Sequence, residues 1–285
     1  MKESIETGDQ SMPDINVTPE MKEKIDQFCL FDDIFLSAVF DNNPEPTERM
    51  LRIILDRDDI TVTAVHTQKR FVNLLYHEVV LDIEAVTDSG DAMDVEVQRD
   101  SREAIPRRAR YILTMMDSKA LDKGIDYSEL KDSYVIFITE TDVIGLGWPV
   151  YRAEWKLTNA EHLPFDVGAH IVYVNGAFKA NPGEETDLSR LIHDFHCKRA
   201  EEMLIPDLAK AVWTFKNTEG GQIAVCKVIQ DMIESAEAAA IIDITVSHVR
   251  GLMQAMAWTA DEAMDKLSVP AEQRLAVKKR LEEAK

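Results

Sequence analysis

Residues 79–98, VVLDIEAVTDSGDAMDVEVQ, decide how the chain is organised. Val79, Leu81 and Ile83 alternate with Val80, Asp82 and Glu84, and Met93, Val95 and Val97 alternate with Asp94, Glu96 and Gln98. Period-two alternation with β-branched residues is the signature of strands. The break between them, Thr87-Asp88-Ser89-Gly90-Asp91, is rich in residues that tolerate turn geometry. A β-hairpin turning near Ser89-Gly90 brings Asp82 across from the neighbourhood of Glu96 and Gln98. Side chains two apart on a strand share a face, so one face carries Asp82, Glu84, Asp94, Glu96 and Gln98 and the other carries aliphatics.

A solvated strand face is also polar. Four carboxylates side by side repel one another, however, and like charges opposite each other on paired strands are destabilising. A hard divalent cation relieves that repulsion, since Mg²⁺ and Ca²⁺ prefer oxygen ligands.

Composition bounds the rest. With 285 residues and 45% apolar content, the chain has room for one large domain with a real core, or a domain plus a helical appendage. Cys29, Cys197 and Cys226 lack C-x-x-C spacing and read as buried small residues rather than as disulfides or zinc ligands. The start, MKESIETGDQSMPD, carries no apolar h-region, and no apolar run approaches membrane-spanning length, so a cytoplasmic protein with no membrane association is expected. A net charge of −20 argues against a broad nucleic-acid-binding surface, though not against a local basic channel.

Along the chain, residues 1–20 read as a loose leader, and Thr18-Pro19-Glu20 is a helix start. Phe31, Phe35 and Val39 recur at helical spacing, Asp33 lies on a different face from them, and residues 41–44 stop that helix. A helix over 47–55, a strand over 60–65 and an irregular stretch over 72–76 precede the hairpin. After it, Pro106 opens a helix with Arg107, Arg108 and Arg110 clustered at its start; it is the basic cluster nearest in sequence to the acidic hairpin. Those arginines are either a solvated helix face or cations able to hold a phosphate by charge-assisted bonds. SYVIFIT, residues 133–139, reads as a strand buried on both faces. Residues 151–157 and 170–174 read as further strands, and 188–197 and 200–215 as helices, the second interrupted at Pro206. His66 and His77 stand alone. His193 and His196, with Asp194 between them, have spacing that permits a metal pair, but no third ligand is evident. Beyond a break at Thr218-Glu219-Gly220-Gly221 the pattern is helical to the end, with Thr259 as the N-cap of one helix. The organisation expected is a leader over 1–20, a domain over 21–220 and a helical region over 221–285.

Several segments occur together in a familiar order: Phe31-Asp32-Asp33-Ile34-Phe35, Leu81-Asp82-Ile83, Val95-Glu96-Val97-Gln98, Arg108-Ala109-Arg110-Tyr111, residues 134–140, residues 170–175 and His193-Asp194-Phe195. Over roughly residues 28–230 the chain resembles the PD-(D/E)XK nuclease family transposases, also called recombination-promoting nucleases. The resemblance implies an α/β fold with a restriction-endonuclease-like core, a central mixed sheet flanked by helices, here followed by a C-terminal helical appendage. It also implies Mg²⁺-dependent cleavage of DNA phosphodiesters, with Mn²⁺ or Ca²⁺ as other possible ions, and a homodimer, since duplex cleavage needs two cuts. Links of some members to recombination and to phage defence come with it. Residue by residue, it implies Asp82 and Glu96 as metal ligands, Gln98 in the position where many members carry the catalytic Lys, and Asp33, or its neighbour Asp32, as an additional metal-binding acid from a helix. Arg108 and Arg110 match the family's Arg-x-Arg-Tyr segment. The chain departs from the pattern at His77-Glu78, often Arg-Ser, and at Asp94, often Asn. A rival reading is a member that has lost cleavage and acts as a metal-stabilised binding or regulatory protein.

Overall fold

A computed structural model describes residues 17–71, 79–121 and 124–283. The irregular stretch over 72–76, His77-Glu78 and most of the leader lie outside those residues. The chain divides into two compact units after Cys226.

The first unit is built on a six-stranded mixed sheet, order β1-β2-β3-β4-β6-β5. Its strands are β1 (Val62–Phe71), β2 (Val79–Thr87), β3 (Ala92–Gln98), β4 (Ser133–Thr139), β5 (Val150–Ala153) and β6 (Ala169–Asn175). The expected hairpin is β2 and β3, antiparallel, with Glu84 opposite Asp94 and Ile83 opposite Val95. Its turn closes where Thr87 N–H donates to the Asp91 carbonyl at 3.0 Å, and Gly90 takes the φ of +91° that only glycine adopts freely. β4 lies parallel to β3 and β6, and every one of its residues is buried, as the uninterrupted run SYVIFIT predicts. The strand expected over 60–65 runs on to Phe71. The strand expected over 151–157 stops at Ala153, where the exposed Glu154-Trp155-Lys156 begins a loop.

Helices cover both faces of this sheet. α1 (Pro19–Gln27) is capped by Thr18, whose side chain accepts from Met21 N–H. α2 (Asp33–Phe40) and α3 (Pro44–Leu55) pack on β1. α4 (Pro106–Ala120) lays Ala109, Ile112, Leu113 and Met116 over Val135 and Phe137. Val135 is in register with Asp94, and Phe137 with Glu96, so α4 covers the face of the sheet that carries the acidic row. α5 (Asp187–His196) and α6 (Pro206–Asn217) complete the unit. The buried Lys216 on α6 donates to the Phe28 carbonyl at 2.6 Å, which ties down the segment that leads into α2 and its Asp33. Cys29, Cys197 and Cys226 are free and buried.

α7 (Glu219–Met256) continues into the second unit, with α8 (Ala260–Lys266) and α9 (Ala271–Glu283). There Val246, Val249, Ala263, Met264, Val269 and Val277 form a small core. Thr259 and Glu262 form the reciprocal cap expected at the start of α8. A mixed sheet flanked by helices and followed by a helical region is the restriction-endonuclease-like arrangement. No helix among the described residues is long and apolar enough to cross a membrane.

Candidate metal and phosphate site

The β2–β3 ladder stops at the pair Ile83 and Val95. Beyond it, side chains take the amides that the ladder leaves free. Val97 N–H donates to Asp82 Oδ2 at 3.0 Å, and the Glu96 carboxyl lies close to the Asp82 backbone. Where the two strands part, the Asp82 and Glu96 carboxyl groups therefore stand side by side. The second Asp82 oxygen accepts from Gln68 Nε2 at 3.3 Å. Gln68 sits on β1 opposite Asp82 and takes a left-handed φ of +51°, a strained backbone of the kind that collects at functional sites.

The polar face is not the solvated face that alternation alone allows. Asp94 and Glu96 are 0% exposed, Glu84 is buried, and Asp82 is half-buried under α4. Burial of four carboxylates has electrostatic consequences. Burial first, and the charge of Asp33 second among the raising effects, push Asp82 up to about 6. Burial and the neighbouring Asp82 push Glu96 up to about 8. Burial and Glu96 push Asp94 well above the usual carboxylate range. The repulsion is met in part by cations at both ends of the row. Arg108, from the first turn of α4, reaches Glu96 Oε2 at 2.6 Å, and Lys69 on β1 is ion-paired to Glu84. Glu96 Oε1 and both Asp94 oxygens have no hydrogen-bond partner among the described residues.

The two adjacent acids at the start of α2 have different partners. Asp32 accepts from Cys29 N–H at 2.8 Å and from Arg99 at 2.9 Å, and Arg99 also pairs with Glu140, so Asp32 is a structural anchor. Asp33 is exposed, yet it lies close enough to bear on the charge of both Asp82 and Glu96. Its own carboxyl is pushed up by burial and by Asp32. Gln98 is brought to the site, its Nε2 lying 3.4 Å from Glu96 Oε2.

The two arginines part company. Two residues apart on a helix point about 200° apart, so Arg108 turns toward Glu96 while Arg110 is exposed on the far side of α4. Sequence reasoning missed Lys69, Gln68 and Arg99. Lys69 and Gln68 come from a strand whose register with β2 is invisible until the sheet is assembled.

The donor atoms of Asp33, Asp82 and Glu96 do not converge. Among the described residues, His193, Asp194 and Cys197 are the group of three whose ligand atoms lie within 4.8 Å of one another. The group takes Cys197 in place of His196, whose Nε2 meets the Gly176 carbonyl at 2.8 Å instead. Both Asp194 oxygens are nonetheless committed to the Leu204 and Ile205 amides, and burial pushes the Cys197 thiol up to about 11, away from the thiolate a metal needs. A cavity of about 710 Å³, lined by Phe178, Ile192, His193 and His196 among others, shares no residue with the acidic row.

A family model described as PD-(D/E)XK nuclease family transposase matches residues 43–193, more than half of the chain. That span includes β2, β3, α4 and β4, and so Asp82, Glu96, Gln98 and both arginines, while Asp33 lies outside it. No curated protein and no solved structure matches the chain.

Proposed function

The chain belongs to the PD-(D/E)XK nuclease family transposases, and from that premise we propose that it is a metal-dependent endonuclease hydrolysing DNA phosphodiesters. The observation that supports this most is the parting of β2 from β3, which leaves Asp82 and Glu96 side by side and one Glu96 oxygen buried without a partner. An all-oxygen donor set carrying an unsatisfied buried carboxylate oxygen suits a hard divalent ion, Mg²⁺ in the first place, with Mn²⁺ or Ca²⁺ as alternatives. Asp82 and Glu96 would hold it, with Asp33 reaching in from α2. The chemistry such an ion supplies is Lewis acidity toward a phosphoryl oxygen and acidification of water.

The chain's own residues would do the rest. Arg108, which donates to Glu96, would present its planar fork of donors to the scissile phosphate. Arg110, exposed on the same helix, would meet the DNA backbone away from the cut. Gln98 stands where a catalytic Lys is common in the family; a carboxamide has no proton-accepting nitrogen, so it can orient a water by hydrogen bonds but not deprotonate it. Gln98→Ala should therefore slow cleavage by about tenfold to a hundredfold, the share of an orienting group, without abolishing it. Cleavage at the parent rate would remove Gln98 from the mechanism. Making two cuts in a duplex favours a homodimer, and the family connection points to recombination, mobile elements or phage defence as the setting.

The deciding experiment is incubation of supercoiled plasmid with the protein in Mg²⁺, Mn²⁺ or EDTA, beside Asp82→Ala and Glu96→Ala. Metal-dependent nicking lost in both variants is the expected result. Inert parent and variants, with a melting temperature that metal still raises in the parent alone, would replace the nuclease by a metal-stabilised binding protein, the reading that the charge of −20 favours.

A further inference from the structure

The carboxylates on the covered face of the sheet are unequally provided for. Asp82 accepts from a backbone amide and from Gln68, Glu84 is ion-paired to Lys69, and Glu96 has Arg108 on one oxygen. Asp94 lies in the middle of the row, opposite Glu84 on β2 and beside Val135 on β4. It is 0% exposed, and neither of its oxygens has a donor. Native proteins seldom leave a buried carboxylate without a partner, and each such group calls for an explanation such as an ion. The one unpartnered oxygen of Glu96 is on the next residue of the same face.

We propose that Asp94 is a third carboxylate of the cation site, a ligand for the same hard divalent ion as Asp82 and Glu96 on the inner, α4-covered side. The proposal rests on the nuclease reading for the ion itself and adds a ligand to it. Packing supports it: Ile112 and Met116 of α4 belong to the hydrophobic cluster over this part of the sheet and supply no donor, and Lys119 of the same helix lies by Glu84 and Lys69 at the other end of the row.

The test is Mn²⁺ binding to the full chain by isothermal titration, with no DNA present, for the parent, Asp94→Asn and Asp82→Ala. Asn has the shape of Asp without the charge. If Asp94 is a ligand, Asp94→Asn should raise the Mn²⁺ dissociation constant by about tenfold or more, the range seen on removal of groups that support a metal. It should also shrink the Mn²⁺-induced rise in melting temperature, although the metal-free variant melts no lower than the parent. Asp94→Ser, smaller and also uncharged, provides the same comparison if the Asn variant does not fold. Parent-like Mn²⁺ affinity in the folded variant, with Asp82→Ala impaired, would overturn the role of Asp94 and leave the nuclease reading standing. A parent that binds no Mn²⁺ would overturn both.

Discussion

Glu96→Gln is expected to raise the melting temperature of the metal-free protein at alkaline pH while eliminating metal-dependent cleavage. The two effects have one cause. Glu96 is fully buried, has a partner on one oxygen only, and is pushed from 4.5 to about 8 by burial and by Asp82. A carboxyl whose pKa is higher folded than unfolded binds more protons in the folded state, so stability falls as pH rises between the two values. Its contribution is fully present below about pH 4.5 and lost by the time pH passes about 8. Asp82, raised to about 6, adds a fall over the lower part of the same window, and the row titrates together, so neutralising Glu96 also relieves Asp82 and Asp94. A pKa unit is worth about 1.4 kcal/mol, and in a domain of this size about 1 kcal/mol moves the melting temperature by 2–4 °C. Scanning calorimetry in EDTA should therefore show the parent losing roughly 5–10 °C between pH 5 and pH 9, with the variant much flatter. Millimolar Mg²⁺ at pH 8 should restore the parent and leave the variant unmoved. A parent whose melting temperature is level from pH 5 to pH 9 would mean that Glu96 carries no electrostatic strain, and the case for a cation at this place would weaken with it.

The sequence allowed the hairpin to be read correctly because alternation and turn chemistry are local: Ile83 and Val95 face away from Glu84 and Asp94, while Leu81 packs with the side chains of α4. SYVIFIT was legible for the same reason. What was not legible is that the acidic side is also buried. A polar strand face reads alike whether water or a helix lies over it, and only the packing of α4 on Val135 and Phe137 decides between them. Asp32 and Asp33 could not be told apart because adjacent residues on a helix start differ only in direction; the ion pair of Asp32 with Arg99, sixty-odd residues later, exists only once the chain is folded. Arg108 and Arg110 were grouped by proximity in sequence, but a helix separates residues two apart. Lys69 could not have been found, because its pairing with Glu84 depends on the β1–β2 register and on the left-handed backbone at Gln68.

Asp194→Ala is expected to lower the melting temperature by about 10 °C, from the loss of about 3–5 kcal/mol. Asp194 is 0% exposed at the end of α5. Its two oxygens accept from Leu204 N–H at 2.7 Å and Ile205 N–H at 2.8 Å. Ile205 precedes α6 and has no hydroxyl or carboxamide with which to cap that helix, so Asp194 meets the donors at its entrance from ten residues away. Alanine leaves two backbone amides without an acceptor, that of Ile205 in a buried setting, and charge-assisted bonds of this kind are worth about 1.5–3 kcal/mol each. Asp194→Asn should recover only part of the loss, because its amide nitrogen would be turned toward one of the two N–H donors. The rival account is that His193, Asp194 and Cys197 hold a metal. It makes a different forecast: His193→Ala would then be as damaging as Asp194→Ala, and EDTA would lower the melting temperature of the parent to match. If Asp194 serves the α5–α6 connection instead, His193→Ala should melt within about 2 °C of the parent, as an exposed-residue change does, and EDTA should not alter the difference between parent and Asp194→Ala. The half-exposed His193 ring and the fully buried Asp194 carboxylate, 3.1 Å apart, make the two substitutions a clean pair for this comparison.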